Sequence, residues 1–146
     1  MIGLLFPGQG AQEVGMGSAL AEAYPLARAT FDEANEALGY DIADIIFNGP
    51  AERLVPTDVC QPAILAMSVA AWRVAADNGL DGDVALGHSL GEYSALVATG
   101  AMPYAEALRI VAERGAAMHE AGLERPGTMA ALLGALDPAL ASPWEE

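Results

Sequence analysis

The chain has 146 residues, 53% of them hydrophobic, and sets six arginines and no lysine against twenty acidic residues for a formal net charge of −14. That length fits one domain with a sizeable core, and that apolar content excludes a disordered chain, which has too little apolar surface to offset ordering entropy. The acidic field repels polyanions and argues against nucleic acid as a partner, and the single cysteine, Cys60, excludes an internal disulfide or a multi-cysteine metal site.

In chain order, the apolar run Ile2 to Phe6 reads as a strand that stops at "PGQG", where proline and two glycines force a turn. "GMGSALAEAYP" and "PLARATFDEANEALGY" read as helices, the second with Pro25 at its first position, Gly39 as its terminator, and Ala27, Phe31, Ala34 and Leu38 on one buried face. "DIADIIFNGPAERL" reads as short helical structure broken at Asn48 to Pro50. "TDVCQPAILAMSVAAWRVAADNG" predicts a helix of about six turns, capped by Thr57 or Asp58 and stopped at Gly79. It is apolar nearly all round and therefore belongs at the centre, with Cys60 as a small buried hydrophobe.

A second strand, Val84 to Leu86, leads into "GHSLG", and Pro103 opens another helix, "PYAEALRIVAERGAAMHEAG". "GTMAALLGAL" reads as a further strand, followed by a helix start at Asp137-Pro138. Strands alternating with helices predict an α/β layered domain with a parallel sheet. No stretch approaches the eighteen or so apolar residues of a membrane span, and "MIGLLFPGQG" lacks the basic flank and long apolar centre of a secretory signal, so a soluble, cytoplasmic protein without membrane association is expected.

Gly87-His88-Ser89-Leu90-Gly91 fits G-x-S-x-G between a strand and a helix. A sharp strand-to-helix turn strains the backbone of the central residue, and a side chain two positions to either side would collide with the crossing chain. Such a turn lifts the Ser89 hydroxyl above the sheet and sets it at a helix N-terminus, where backbone N–H groups favour developing negative charge. Ser89 is therefore the candidate nucleophile. A serine needs a base, and the chain has two histidines. His88 is adjacent to Ser89, where neighbouring side chains diverge, and reads as shaping the turn. His119 lies five residues past Arg114, about 140° around the helix, and reads as solvated surface. By residue type alone, Arg114 also reads as a solvated helix arginine.

"LLFPGQGAQEVGMG", "QPAILAMSVA", "GHSLGEYSALVATGAM", "AERGAAMHEA" and "GTMAALLG" together resemble the malonyl-CoA:acyl-carrier-protein transacylases and the acyltransferase domains of polyketide synthases. The resemblance covers nearly the whole chain in the family's order. It implies an α/β-hydrolase-like large subdomain over residues 1–126, with residues 127–146 beginning an inserted ferredoxin-like small subdomain that is left incomplete. It further implies a Ser89 acyl-enzyme, an oxyanion hole from the backbone N–H groups of Gln9 and Leu90, and a malonate carboxylate gripped by Arg114 with His88 nearby. Malonyl-CoA and acyl carrier protein would be the partners, with no cofactor and no metal. The family's catalytic histidine belongs to a later segment, so the chain is expected to be the N-terminal half, impaired alone, and in need of a complementing C-terminal half. Two other readings stay open: a non-catalytic or split-enzyme fragment that serves as a docking partner, and a serine esterase.

Overall fold

The computed structural model describes residues 1–127, an α/β arrangement in which two parallel strands are joined by a long helical crossover. Strand β1 (Gly3–Phe6) is followed by α1 (Ser18–Ala23), α2 (Pro25–Leu38), α3 (Ile42–Asn48), a 3₁₀ turn (Ala51–Leu54) and α4 (Thr57–Asp77). Strand β2 (Val84–Gly87) then runs beside β1 in the register Gly3–Val84, Leu4–Ala85, Leu5–Leu86 and Phe6–Gly87. Helices α5 (Gly91–Ala98) and α6 (Tyr104–Glu124) complete the described chain. The predicted strand in "GTMAALLGAL" and the helix start at Asp137-Pro138 lie outside the described residues.

Helix α4 is central because its apolar surface goes nearly all the way round. Cys60, Ala63, Leu65, Ala66, Val69 and Ala70 are all buried, with α2 and α6 packed against them. By length and composition α4 could cross a membrane, but most of that apolar stretch is buried inside the fold. Phe31 of α2, Ile42 and Ile46 of α3, and Leu108 and Val111 of α6 fill the rest of the same core. Ala27, Phe31 and Ala34 form the buried stripe that the spacing predicts, with Leu38 packed at its margin. Arg73 of α4 braces the bundle: it donates to Glu33 at 2.6 Å and to Thr30 Oγ1 at 3.2 Å, and its guanidinium lies 4.7 Å from the Tyr104 ring centre.

One local expectation is corrected. Helix α4 is capped neither by Thr57 nor by Asp58, because Pro56 occupies the N-cap in an extended conformation and both residues already lie within the first turn. The Thr57 hydroxyl faces Gln9 instead, whose Nε2 donates to it at 3.5 Å.

Candidate active site

The site is built where β2 turns into α5. Ser89 has φ +51°, the sole positive φ outside glycine among the described residues, and its hydroxyl-bearing residue is exposed to solvent. A left-handed conformation costs an ordinary residue about 1–2 kcal/mol, so the surrounding contacts must hold it in place. They can be named. His88 N–H donates to the Phe6 carbonyl at 3.1 Å and Gly91 N–H to the His88 carbonyl at 2.9 Å. The two flanking glycines permit this crossing: a Cβ on Gly87 would lie 1.9 Å from the Gly91 carbonyl carbon, and one on Gly91 would lie 2.2 Å from the Phe6 carbonyl oxygen.

The "PGQG" loop lies against the same turn. A Cβ on Gly8 would fall 2.6 Å from the His88 carbonyl oxygen and 2.8 Å from its Nδ1, so the His88 imidazole folds onto the loop beside Gln9. Among the described residues, no recorded backbone bond occupies the N–H of Gln9 or of Leu90. Leu90 follows the serine directly, before the α5 N-terminus, and Gln9 follows Gly8 on the loop packed against His88. Loop and α4 are joined by the Gln9–Thr57 contact, and three residues along α4 from Thr57 lies the Cys60 thiol. Burial pushes that thiol up to about 11, so Cys60 is an unreactive core group.

Helix α6 brings the cation. Arg114 Nη2 donates to Ser89 Oγ at 3.0 Å, its Nη1 donates to Gln61 Oε1, and its guanidinium lies 6.0 Å from the Tyr93 ring centre. The reading of Arg114 as a solvated helix residue is therefore corrected. Gly115 explains the approach, since a Cβ there would lie 2.7 Å from the Thr57 carbonyl oxygen and 2.8 Å from Asp58 Cα. A bare backbone at 115 lets α6 cross close over the first turn of α4, and the neighbouring Arg114 is carried to the elbow.

His119 is exposed, as its helical offset from Arg114 predicts, and lines a groove with Glu52, Val55, Pro56 and Thr57. Among the described residues Ser89 Oγ has Arg114 as its one hydrogen-bond partner, and neither histidine is hydrogen-bonded to it. The structure thus brings Ser89, Leu90, Gln9, His88 and Arg114 to one place and leaves His119 outside. Sequence reasoning missed Gln61, Tyr93 and Thr57. The available signal for Gln61 was a polar amide interrupting the apolar surface of α4, and it is 1% exposed.

Residues 4–141 match the family model described as "Acyl transferase domain". Over 143 residues the chain is 48% identical to the malonyl CoA-acyl carrier protein transacylase of Escherichia coli (strain K12), covering 97% of this chain and 46% of that protein. An acyl carrier protein S-malonyltransferase from Vibrio cholerae aligns in three dimensions with TM-score 0.80 and 49% identity, covering 82% of this chain and 40% of the other. A malonyl-transacylase solved in complex with its type II PKS acyl-carrier protein aligns with TM-score 0.79 and 47% identity, over 82% of this chain and 39% of that one. The chain spans about half the length of the curated relatives it matches.

Proposed function

The chain belongs to the acyl transferase domain family, and from that premise we propose that it carries the serine half of a malonyl-CoA:acyl-carrier-protein transacylase site in fatty-acid or polyketide synthesis. The observation that carries the reading is the 3.0 Å contact between Arg114 Nη2 and Ser89 Oγ at a left-handed elbow. A guanidinium this close to the nucleophile suits an acyl group with a carboxylate one methylene beyond its carbonyl, because a planar fork binds a carboxylate through two parallel hydrogen bonds.

In this mechanism Ser89 Oγ attacks the thioester carbonyl carbon, the carbon–sulfur bond breaks, and coenzyme A leaves as the thiol. The oxyanion of the tetrahedral intermediate is received by the N–H groups of Leu90 and Gln9; one such donor is commonly worth about 10²–10³ in rate. The phosphopantetheine thiol of the carrier protein then attacks the Ser89 ester and departs as the malonyl thioester. Coenzyme A and carrier protein are both water-soluble, which suits a cytoplasmic enzyme.

Ser89 still needs a base, and neither histidine of this chain reaches it. In the longer family members that role falls to a histidine of a later segment. The sheet supports the same division. Leu5 and Leu86 are register partners that stand 77% and 58% exposed, and Val84 is 44% exposed, whereas parallel sheets occur with both faces covered. We assign residues 1–126 to an α/β-hydrolase-like large subdomain whose further strands cover this apolar face; the ferredoxin-like insert expected over 127–146 lies, past residue 127, outside the described residues. A C-terminal segment of the kind the longer relatives carry would supply both strands and base.

The test is to incubate the chain with malonyl-CoA, with and without holo acyl carrier protein, and to map the acyl adduct by peptide mass spectrometry. A malonyl increment on the Ser89 peptide, absent in Ser89→Ala and accelerated by a relative's C-terminal half, supports the reading. An adduct that persists in Ser89→Ala overturns it.

A further inference from the structure

We propose that Gln61, anchored on Met118, is the positioning residue for Arg114, and that its neutrality keeps the guanidinium charge available for a ligand carboxylate. The proposal rests on the reading that Arg114 receives that carboxylate. It adds a specificity determinant on a different helix.

Gln61 lies between α4 and α6 with both ends of its amide engaged. Its Oε1 accepts from Arg114 Nη1 and its Nε2 donates to Met118 Sδ at 3.3 Å. An arginine only donates and a thioether only accepts, so these two partners fix the amide in one orientation. Arg114 and Met118 are four residues apart on α6 and share a face, and Gln61 spans the pair. With Nη1 held by a buried amide, the plane of the guanidinium is set and Nη2 is directed at Ser89.

The choice of amide over acid matters. Arg28, Arg53, Arg109 and Arg125 are exposed, and the other half-buried arginine, Arg73, is paired with Glu33. No carboxylate pairs with Arg114 among the described residues, although it is half-buried and close to the nucleophile. A glutamate at position 61 would have the size of the glutamine and the charge of the substrate's own carboxylate. It would satisfy Arg114 internally, compete with the ligand, and lose the donor that Met118 now accepts. Glutamine orients the guanidinium without neutralising it.

The experiment titrates the full chain with monomethyl malonate, which carries the one free carboxylate of a malonyl thioester, and with methyl acetate as the uncharged control. The Nε–Hε NMR signal of Arg114, assigned by its loss in Arg114→Lys, is the readout. Gln61→Glu is expected to weaken monomethyl malonate binding about tenfold or more, the range for losing hydrogen bonds to a charged group. Gln61→Met removes the buttress without adding charge; it should weaken binding a few-fold and broaden the Arg114 signal. Losses of equal size in the two variants would indicate packing alone and overturn the proposal. Parent-like affinity in Gln61→Glu, or, if that variant does not fold, in Gln61→Met, would also overturn it while leaving Arg114's own role intact. Monomethyl malonate binding that survives Arg114→Ala, or that is absent from the parent chain, would defeat the underlying reading and this inference with it.

Discussion

Replacing Gly87 by alanine tests the elbow most directly. The added Cβ would sit 1.9 Å from the Gly91 carbonyl carbon and 2.1 Å from Glu92 N, while Cβ contacts under 3.0 Å essentially never occur. The start of α5 therefore has to retreat by more than an ångström, and neither obstructing group is a side chain that can swing aside. The His88–Phe6 and Gly91–His88 backbone bonds oppose that retreat. Overpacking of this kind costs about 1–3 kcal/mol, and the rigid obstacle puts this case at the upper end. Ser89 moves with the turn, which stretches the 3.0 Å contact to Arg114 beyond hydrogen-bond reach. Misplacement of about 1 Å commonly lowers a rate by about 10²-fold.

Stability is read by denaturant unfolding, and hydroxyl reactivity by labelling Ser89 with a fluorophosphonate, which needs no assumption about the acyl donor. Gly100→Ala is the control. Gly100 has φ +73° with no atom within 4 Å of a Cβ there, so strain alone should cost about 1–2 kcal/mol and leave Ser89 labelling unchanged. A Gly87→Ala chain that unfolds and labels like its parent would refute the account of the turn.

Three further outcomes are expected. Arg114→Ala should lower Ser89 acylation by malonyl-CoA about tenfold or more and leave acylation by acetyl-CoA nearly unchanged, measured as initial adduct formation; an unchanged ratio would contradict the assigned role. Phe31→Ala, which deletes a fully buried ring packed edge-on 4.8 Å from Phe47, should destabilise the fold by about 3–5 kcal/mol in denaturant titration, and a loss under 1 kcal/mol would show the core to be loosely packed. The Cys60 thiol is raised from 9.0 to about 11, so it stays protonated in the fold where it would ionise in the unfolded chain. At pH 9 its alkylation should run about 50-fold slower in the folded chain than in denaturant, and native stability should fall as pH climbs from 9 towards 11 because only the unfolded state releases the proton. Equal alkylation rates in the two states would contradict the burial.

How much was legible in the sequence varied with the range of the cause. Pro25, Gly39 and the Ala27–Phe31–Ala34 stripe act within a turn or two of chain, and they appear where the spacing puts them. The run of apolar residues from Cys60 to Val74 announced a central helix for the same reason: no face of it is suited to water. The G-x-S-x-G turn was equally readable, because the clash that excludes a side chain at Gly87 involves the backbone of residues 91 and 92, only a few positions away.

Arg114 was misread in isolation, and Gln61 passed unnoticed, because what fixes them is a crossing between helices whose contacting residues lie 53 positions apart. A helix pattern says which face of α6 carries Arg114, but only the near-contact of Gly115 with the Thr57 carbonyl carries that face to the elbow. The N-cap of α4 failed for a like reason: Thr57 had a side-chain partner in the distant glycine loop, and Pro56 took the capping position. Sequence alone determined the strained serine, since bond geometry and local sterics act along the chain. Tertiary structure alone decided which cation meets it and what orients that cation, since hydrogen bonds linking α4, α6 and the Ser89 turn depend on distances that no local pattern encodes.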